Sequence, residues 1–309
     1  MTSYKSLYNF IKSKVEYIIF FILLAVLVFL IARKTMDGFY NAEHGINRLD
    51  AIIYINLENR QDRKELLMKE LETLNTNMKK VHKVSGVYIP KNGHKGCVQS
   101  HIIALNMIKM NKWDRVLILE DDAQLDVSPE IFNQLLDETL DYLDASKPNW
   151  DVLMLASANK VIKDEDKPHS KELEIVTSSN TSSNDSKKNN KNNSNSKKNN
   201  NSKKNNNSSN KNKEVARELK QTFKIEKLHT ATTSSAYIVK RSYVDKILDL
   251  FNTCNDNMEP KNLSGQGFEH WALDQKWATL QEKDNWYVLS PDPIKQRAIW
   301  STIMSESHS

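Results

Sequence analysis

The sequence predicts an α/β fold with a mainly parallel central sheet, and three observations support that prediction. Apolar runs at residues 51–57, 116–119 and 150–155 have the length and composition of buried strands. Amphipathic stretches of helical length alternate with these runs, as expected for strands joined by right-handed crossovers. At 309 residues, with one apolar N-terminal run and one polar tract set aside, the chain has room for one such domain.

The chain begins with a polar tail and an apolar run at positions 17–32. Flanking residues extend this run toward the roughly 20 residues that a bilayer-spanning helix needs. Arg33 and Lys34 follow it, and this is the wrong chemistry for a signal-peptidase site. A buried core helix is the alternative, but such a helix is seldom apolar on every face with basic residues at both ends. We therefore predict a tail at 1–14, a transmembrane signal anchor at 15–34 and a stem at 35–50.

Basic residues set the predicted orientation of this anchor. Three lysines and the amino terminus precede the apolar run, slightly more positive charge than follows it. This bias predicts a single-pass, type II membrane protein whose main domain is lumenal or external. Cys97 and Cys254 lack the spacing of a zinc motif, and they either pair in an oxidising compartment or remain two buried thiols.

The first predicted strand leads into Arg60, Asp62 and Arg63 at the start of an amphipathic helix. Arginines at a strand-to-helix turn can hold a phosphate through bidentate hydrogen bonds, assisted by the helix N-terminus. Helix capping and surface charge pairing are the structural alternative. A second helix, predicted at 97–110, carries Ser100 and His101 in its first turn, where they could face a ligand or serve only the structure.

Three acids, Glu120, Asp121 and Asp122, follow the second apolar run directly. The carboxyl ends of strands in an open α/β sheet are where ligands bind. Carboxylates crowded this closely repel one another, and a divalent cation such as Mg²⁺ or Mn²⁺ relieves that repulsion. The alternative is a solvated acidic turn that caps the helix predicted from Pro129.

A tract of Asn, Ser and Lys at residues 177–213 is predicted to be a disordered insertion. It holds nine lysines and one aspartate, so its charge is +8 and the rest of the chain carries −3 of the net +5. The foldable part is therefore slightly acidic and gives no support to nucleic-acid binding.

The late segment at 265–274 combines the acids Glu269 and Asp274 with Trp271, and Trp277 follows one turn later. An aromatic face can stack on a sugar ring while carboxylates bind its hydroxyls. Trp271 and Trp277 could equally be core residues, and for Trp277 the core role is favoured.

Taken together, these motifs resemble glycosyltransferase family 25, which includes lipopolysaccharide and procollagen galactosyltransferases. The likeness covers residues 51–304 outside the insertion. The matching segments are Ile55-Asn56-Leu57 with Arg60 and Asp62-Arg63, Gly96-Cys97 with Ser100-His101, Leu117-Ile118-Leu119-Glu120-Asp121-Asp122, Ser235-Ala236-Tyr237-Ile238-Val239, Asp274, and Pro291 with Gln296 and Ser301.

The resemblance implies a GT-A-type nucleotide-binding fold, a UDP-sugar donor, a divalent Mn²⁺ or Mg²⁺ and inversion at the anomeric carbon. It implies that Asp121 and Asp122 hold the metal. An inverting transfer also needs a catalytic base, for which Asp274 and Glu269 are the candidates. The residues that the resemblance places beside the donor are Arg60, Asp62, Arg63, Ser100, His101 and Glu120.

The expected function is that of a membrane-anchored transferase that moves a hexose, galactose or glucose, to a hydroxyl of a glycan or hydroxylysine-type acceptor. The alternative is a catalytically silent relative that binds glycans or acts as a scaffold. A silent copy should tolerate the loss of its acids, whereas all three acids are present here.

Overall fold

The computed structural model describes residues 24, 43–163, 170–179, 217–259 and 267–298. Apart from residue 24, the predicted anchor lies outside this described part, in which no helix is long and apolar enough to cross a membrane. The chain divides into two compact units, Met1–Arg48 and Leu49–Ser309. The first contains a short 3₁₀ helix at Gly45–Arg48, and the second contains the elements that follow.

The second unit has eleven strands and six α-helices in its described residues. The strands are β1 (Ala51–Asn56), β2 (Val81–Ser85), β3 (Arg115–Glu120), β4 (Ala123–Leu125), β5 (Val152–Met154), β6 (Ala158–Ile162), β7 (Lys171–Ser179), β8 (Arg217–Thr232), β9 (Ala236–Lys240), β10 (Trp286–Ser290) and β11 (Ile294–Gln296). The helices are α1 (Gln61–Thr73), α2 (Gly93–Asn111), α3 (Pro129–Ser146), α4 (Arg241–Asn257), α5 (Leu273–Lys276) and α6 (Ala278–Gln281), with 3₁₀ turns at Met78–Lys80 and Phe268–Trp271.

Nine of these strands form one sheet in the order β2-β1-β3-β9-β5-β10-β8-β6, with β7 also paired to β8. Strands β1, β2 and β3 are parallel to one another, as are β5 and β10, whereas β9 is antiparallel to both β3 and β5. In the central six strands only β9 is reversed, which confirms the α/β class with a mainly parallel centre. The antiparallel extension formed by β6, β7 and β8 was not predicted.

Two helices show how local sequence sets their starts. The Ser128 Oγ accepts a hydrogen bond from Ile131 N at 3.3 Å, so α3 begins at Pro129 as predicted. The Asn92 side chain accepts from Lys95 N at 3.0 Å, so α2 begins at Gly93, four residues before its predicted start. Ser100 and His101 therefore lie in the interior of α2 and not in its first turn.

The core fills both faces of the sheet. All six residues of β1 are buried, as expected for a strand covered on two sides. An aromatic cluster of Tyr237, Trp277 and Trp286 lies within this core, and all three side chains are fully buried or nearly so. The two cysteines are free thiols: Cys254 is buried in the core and Cys97 is half-buried.

Strands β7 and β8 lead into and out of the predicted insertion. Their backbones pair from Lys171 with Ile225 to Ser179 with Arg217. Residues 177–179, the first three of the predicted disordered tract, therefore belong to a strand. Its remainder, from 180 to 213, lies outside the described residues, so the disorder stays a prediction.

Candidate functional site

A cavity of about 110 Å³ opens at the carboxyl ends of β1 and β3. The parallel register places Ile55, near the end of β1, beside Glu120 at the end of β3. Helix α1 contributes Arg63 to the cavity lining, and α2 contributes residues from its first three turns. The charged and titratable side chains that line the cavity are Arg63, Tyr88, Cys97, His101, Glu120, Asp121 and Asp122.

Asp121 is held on both of its carboxylate oxygens. The Arg63 guanidinium, from the first turn of α1, donates from Nη1 to Asp121 Oδ1 at 2.8 Å. The Asn56 amide donates from Nδ2 to Asp121 Oδ2 at 2.9 Å and to the Arg60 carbonyl at 2.9 Å. These contacts tie the end of β1 to the start of α1, and they explain how a charged pair of Arg63 and Asp121 can be buried.

Only one of the two carboxylate oxygens of Asp122 accepts a hydrogen bond from the described residues. Its Oδ2 accepts from Gln296 Nε2 at 3.0 Å and lies 3.4 Å from Arg63 Nη1. Its Oδ1 is buried and has no hydrogen-bond partner among the described residues. Burial first, and then the charge of Glu120, raise the pKa of Asp122 to about 7, against the opposing effects of Gln296 and Arg63.

Gln296 reaches this site because β11 pairs antiparallel with β4, the short strand that follows the three acids. The register places Gln296 beside Ala123, next in sequence to Asp122. This two-stranded sheet is separate from the main sheet. It brings the late segment that contains Pro291 and Gln296 to the acidic end of β3.

Glu120 lies between a buried histidine and a serine. The His101 ring is fully buried, with Nδ1 3.0 Å from Tyr237 Oη and Nε2 3.3 Å from Glu120 Oε1. The Ser234 hydroxyl also donates to Glu120 Oε1. Burial alone would raise the pKa of Glu120, but the hydrogen bonds from His101 and Ser234 outweigh it and hold that pKa below its ordinary value.

Cys97 lies one helical turn before His101 on α2. Burial of its thiol, followed by the charges of Glu120 and Asp274, raises the pKa of Cys97 well above its ordinary value. Cys97, His101 and Glu120 are the one group of His, Cys, Asp or Glu residues in the described part of the chain whose ligand atoms have metal-site spacing, all within 4.8 Å of one another.

Of the other predicted donor residues, Ser100 lines the cavity, whereas Arg60 and Asp62 are not among its lining residues. Arg60 forms two hydrogen bonds of 3.0 Å with the exposed carboxylate of Asp62 at the start of α1. Ser100 lines the cavity, yet its hydroxyl donates to Gly96 O at 2.7 Å and accepts from Val87 N at 2.8 Å. Ser100 therefore fixes the loop after β2 against α2.

The two predicted base candidates are placed differently from each other. Asp274, in the first turn of α5, accepts from Thr233 N at 3.0 Å, and its charge is close enough to act on the Cys97 thiol. Glu269 is exposed on the 3₁₀ turn Phe268–Trp271. Neither belongs to the cavity lining that the described residues form.

The carboxylate pair fits a cation through one member. Both oxygens of Asp121 already accept hydrogen bonds, whereas Asp122 offers a buried oxygen with no donor facing it in the described residues. A hard divalent cation is the kind of group that would satisfy such an oxygen.

Sequence reasoning missed four residues that complete the site: Asn56, Cys97, Ser234 and Gln296. Asn56 and Cys97 stand inside motifs that were recognised, and Gln296 stands in the last one. The available signals were a polar residue that ends an apolar strand, and a Cys-x-x-x-His spacing. This spacing is not one of the zinc motifs that the sequence analysis considered, but on a helix it puts two possible metal ligands on one face.

No family model matches the chain, and no curated protein matches it. Solved structures with some likeness include A197 from STIV, at 10% identity and a TM-score of 0.33, covering 78% of this chain and 81% of that one. A glycosyltransferase involved in the glycosylation of the major capsid of PBCV-1 has 9% identity and a TM-score of 0.38, covering 84% and 97%. Mannose-1-phosphate geranyltransferase from Thermus thermophilus has 8% identity and a TM-score of 0.35, covering 81% and 75%. Likenesses this weak say nothing about the chemistry of this chain.

Proposed function

We propose that the chain is an inverting glycosyltransferase, similar to family 25, that moves galactose or glucose from a UDP-sugar to a hydroxyl of a glycan or hydroxylysine-type acceptor. The observation that supports this most directly is the buried, unbonded Oδ1 of Asp122 beside Arg63 in the cavity at the end of β3. The order of the sequence motifs around the same cavity is the second support.

In this proposal Asp122 holds a Mn²⁺ or Mg²⁺ ion, which would neutralise the diphosphate leaving group. Asp121 keeps Arg63 at the cavity wall, where the guanidinium supplies a further positive charge toward the same group. Arg60 and Asp62, at the start of α1, together with Ser100, His101 and Glu120, form the donor side. Ser100 acts there through the loop that it fixes.

An inverting transfer needs a base that removes the proton from the acceptor hydroxyl as its oxygen attacks. Asp274 is the stronger candidate because the Thr233 amide holds its carboxylate and its charge already acts on Cys97, a residue of the cavity wall. Glu269, on the exposed turn before it, is the second candidate.

The predicted membrane anchor at 15–34 and the lumenal or external location of the main domain complete the proposal. They rest on the hydropathy and charge of the N-terminal sequence. Retention of the full chain in an alkali-washed membrane pellet, and its release by detergent, would support them. Release by alkali alone would contradict the anchor.

The enzyme proposal is tested by incubating the full chain with a panel of UDP-sugars and Mn²⁺ and measuring UDP release. We expect release with one donor and a loss of at least about 100-fold in Asp122→Asn, because the substitution removes an electrostatic contact of the transition state. Asp249→Asn, an exposed acid on α4, is the matched control and should keep full activity.

The silent, glycan-binding alternative makes the opposite prediction. It expects no UDP release with any donor or acceptor, together with glycan binding that survives Asp122→Asn. Equal activity in the Asp122 and Asp249 variants would mean that the acidic site does not take part in the transfer.

A further inference from the structure

We propose that Cys97, His101 and Glu120 form a binding site for a transition-metal ion of the Zn²⁺ class, different in ligand chemistry from the carboxylate pair Asp121 and Asp122. This inference does not rest on the proposed transferase activity. It rests on the positions of three side chains from two elements, α2 and β3.

The placement of the ligands follows from the fold. Cys97 and His101 are four residues apart on α2, so both side chains leave the same face of the helix. That face is turned toward the end of β3, where Glu120 is the last residue of the strand. The ligand atoms of the three residues all lie within 4.8 Å of one another.

These separations approach those of a zinc site. Zn²⁺ lies about 2.3 Å from sulfur and about 2.0–2.2 Å from nitrogen or oxygen, which in a tetrahedral site keeps ligand atoms roughly 3.3–3.6 Å apart. His101 Nε2 and Glu120 Oε1 are already 3.3 Å apart. The Cys97 sulfur needs to approach by no more than about 1 Å, which a change in side-chain torsion supplies.

The orientation of the histidine is held from behind, as in known metal sites. His101 is fully buried, and Tyr237 Oη lies 3.0 Å from its Nδ1. Such a partner on one ring nitrogen fixes the ring and directs the other nitrogen to the ion. Tyr237 is itself buried in the aromatic cluster, so this support is rigid.

The ligand set selects the ion. A thiolate and an imidazole favour Zn²⁺, Co²⁺ and similar ions, whereas Mg²⁺ and Mn²⁺ prefer oxygen ligands. Three protein ligands also leave one position of a tetrahedral ion open, and all three residues line the cavity. The open position would therefore face whatever enters the cavity.

The test is Co²⁺ titration of the full, untagged chain after treatment with a chelator. We expect an intense near-ultraviolet band from charge transfer between thiolate and cobalt, displaced by stoichiometric Zn²⁺ and not by excess Mg²⁺. Cys97→Ser should abolish the band. Cys254→Ser is the matched control, because it changes the one other cysteine of the chain, and it should leave the band intact.

Two further variants separate the ligands from the neighbouring acids. His101→Gln and Glu120→Gln should each weaken Co²⁺ binding at least about tenfold, while Asp122→Asn keeps the band. Circular dichroism and a thermal unfolding curve establish that each variant is folded.

Three outcomes would overturn the proposal: no band in the parent chain, a band that survives Cys97→Ser, or displacement of Co²⁺ by Mg²⁺ as readily as by Zn²⁺. Failure of the UDP-release assay would leave these spectra unchanged, so the two proposals succeed or fail separately.

Discussion

Two buried regions of this chain hold the side chains that its sequence marks as candidates for sugar chemistry, and they differ in how their polar groups are satisfied. In the aromatic cluster every indole N–H has a partner: Trp277 Nε1 donates to Ala231 O at 2.9 Å and Trp286 Nε1 to Tyr243 Oη at 3.1 Å. In the acidic cavity Asp122 keeps a buried oxygen without a donor among the described residues.

This difference separates a core from a candidate site. The cluster is closed by edge-to-face contacts, with ring centroids 5.6 Å apart for Tyr237 and Trp277 and 5.2 Å apart for Trp277 and Trp286. In the cavity, burial and then the charge of Glu120 raise the pKa of Asp122. A buried polar group whose hydrogen bonds are all made indicates a structural role. A buried carboxylate with an oxygen that lacks a donor indicates a place for a ligand.

The two regions are in contact through one ring. Tyr237 packs against Trp277 on one side and lies 5.8 Å from the His101 ring on the other. The core therefore forms the rear support of the cavity, and changes to the cluster should act on stability before they act on chemistry.

The largest expected effect is at Trp277. Trp277→Ala should lower the free energy of unfolding by about 3–5 kcal/mol, because it leaves a cavity and an unpaired Ala231 carbonyl in the core. Trp271→Ala is the matched control. That ring is half-buried beneath Lys276 Nζ, and its loss should cost less than about 1 kcal/mol.

Urea denaturation followed by tryptophan fluorescence and circular dichroism would measure both variants. Similar losses for the two tryptophans would break the distinction between a core ring and a peripheral one. If Trp277→Ala lost little free energy of unfolding but much of its donor binding, Trp277 would instead be assigned to sugar binding.

Part of this contrast could be predicted from sequence. The aliphatic run before Glu120 specifies a strand buried on both faces, and the acids that follow it mark the strand end where the cavity lies. The core role favoured for Trp277 is confirmed by its full burial. Strand direction was not predictable in the same way, because the apolar run of β9 is equally compatible with a parallel or an antiparallel neighbour.

The rest of the site depends on pairings between distant residues. Gln296 meets Asp122 only because β11 pairs with β4, and Asn56 meets Asp121 only because β1 lies beside β3. Local composition carries no information about such partners. The start of α2 was misplaced for a local reason, since the cap formed by Asn92 competes with the glycine at 96 as a boundary signal.

A second prediction concerns the cavity wall, where α2 approaches the loop after β2. A Cβ at Gly96 would lie 2.3 Å from the Val87 carbonyl oxygen, a backbone atom that cannot move alone. Gly96→Ala should therefore cost about 1–3 kcal/mol of stability through this overpacking. It should also weaken Co²⁺ binding, because Cys97 is the next residue.

Gly267→Ala is the control for this substitution. The three atoms nearest to its added Cβ all belong to the carboxylate of Glu269, a side chain that can rotate away, and the Gly267 φ of −69° suits alanine. Thermal unfolding of both variants under one buffer would measure the difference. Equal melting temperatures would mean that the loop after β2 moves away from the added Cβ at little cost, and that α2 is not packed tightly against the Val87 carbonyl.

The smallest expected effect is the stability that Asp122→Asn gains relative to the parent chain as the pH rises. The pKa of Asp122 is raised from 3.8 to about 7 in the folded chain, so between these values folded protein keeps a proton that the unfolded chain releases. Stability therefore falls as the pH rises through this window, and the full cost is present above about pH 7. With a chelator present, Asp122→Asn should be more favourable relative to the parent at pH 7 than at pH 5.5, by about 1–2 kcal/mol. Urea unfolding at both pH values would measure this, with Asp249→Asn expected to show no such change. A pH-independent difference would mean that Asp122 is already neutralised by its neighbours, and the acidic cavity would then resemble the aromatic cluster in being fully satisfied.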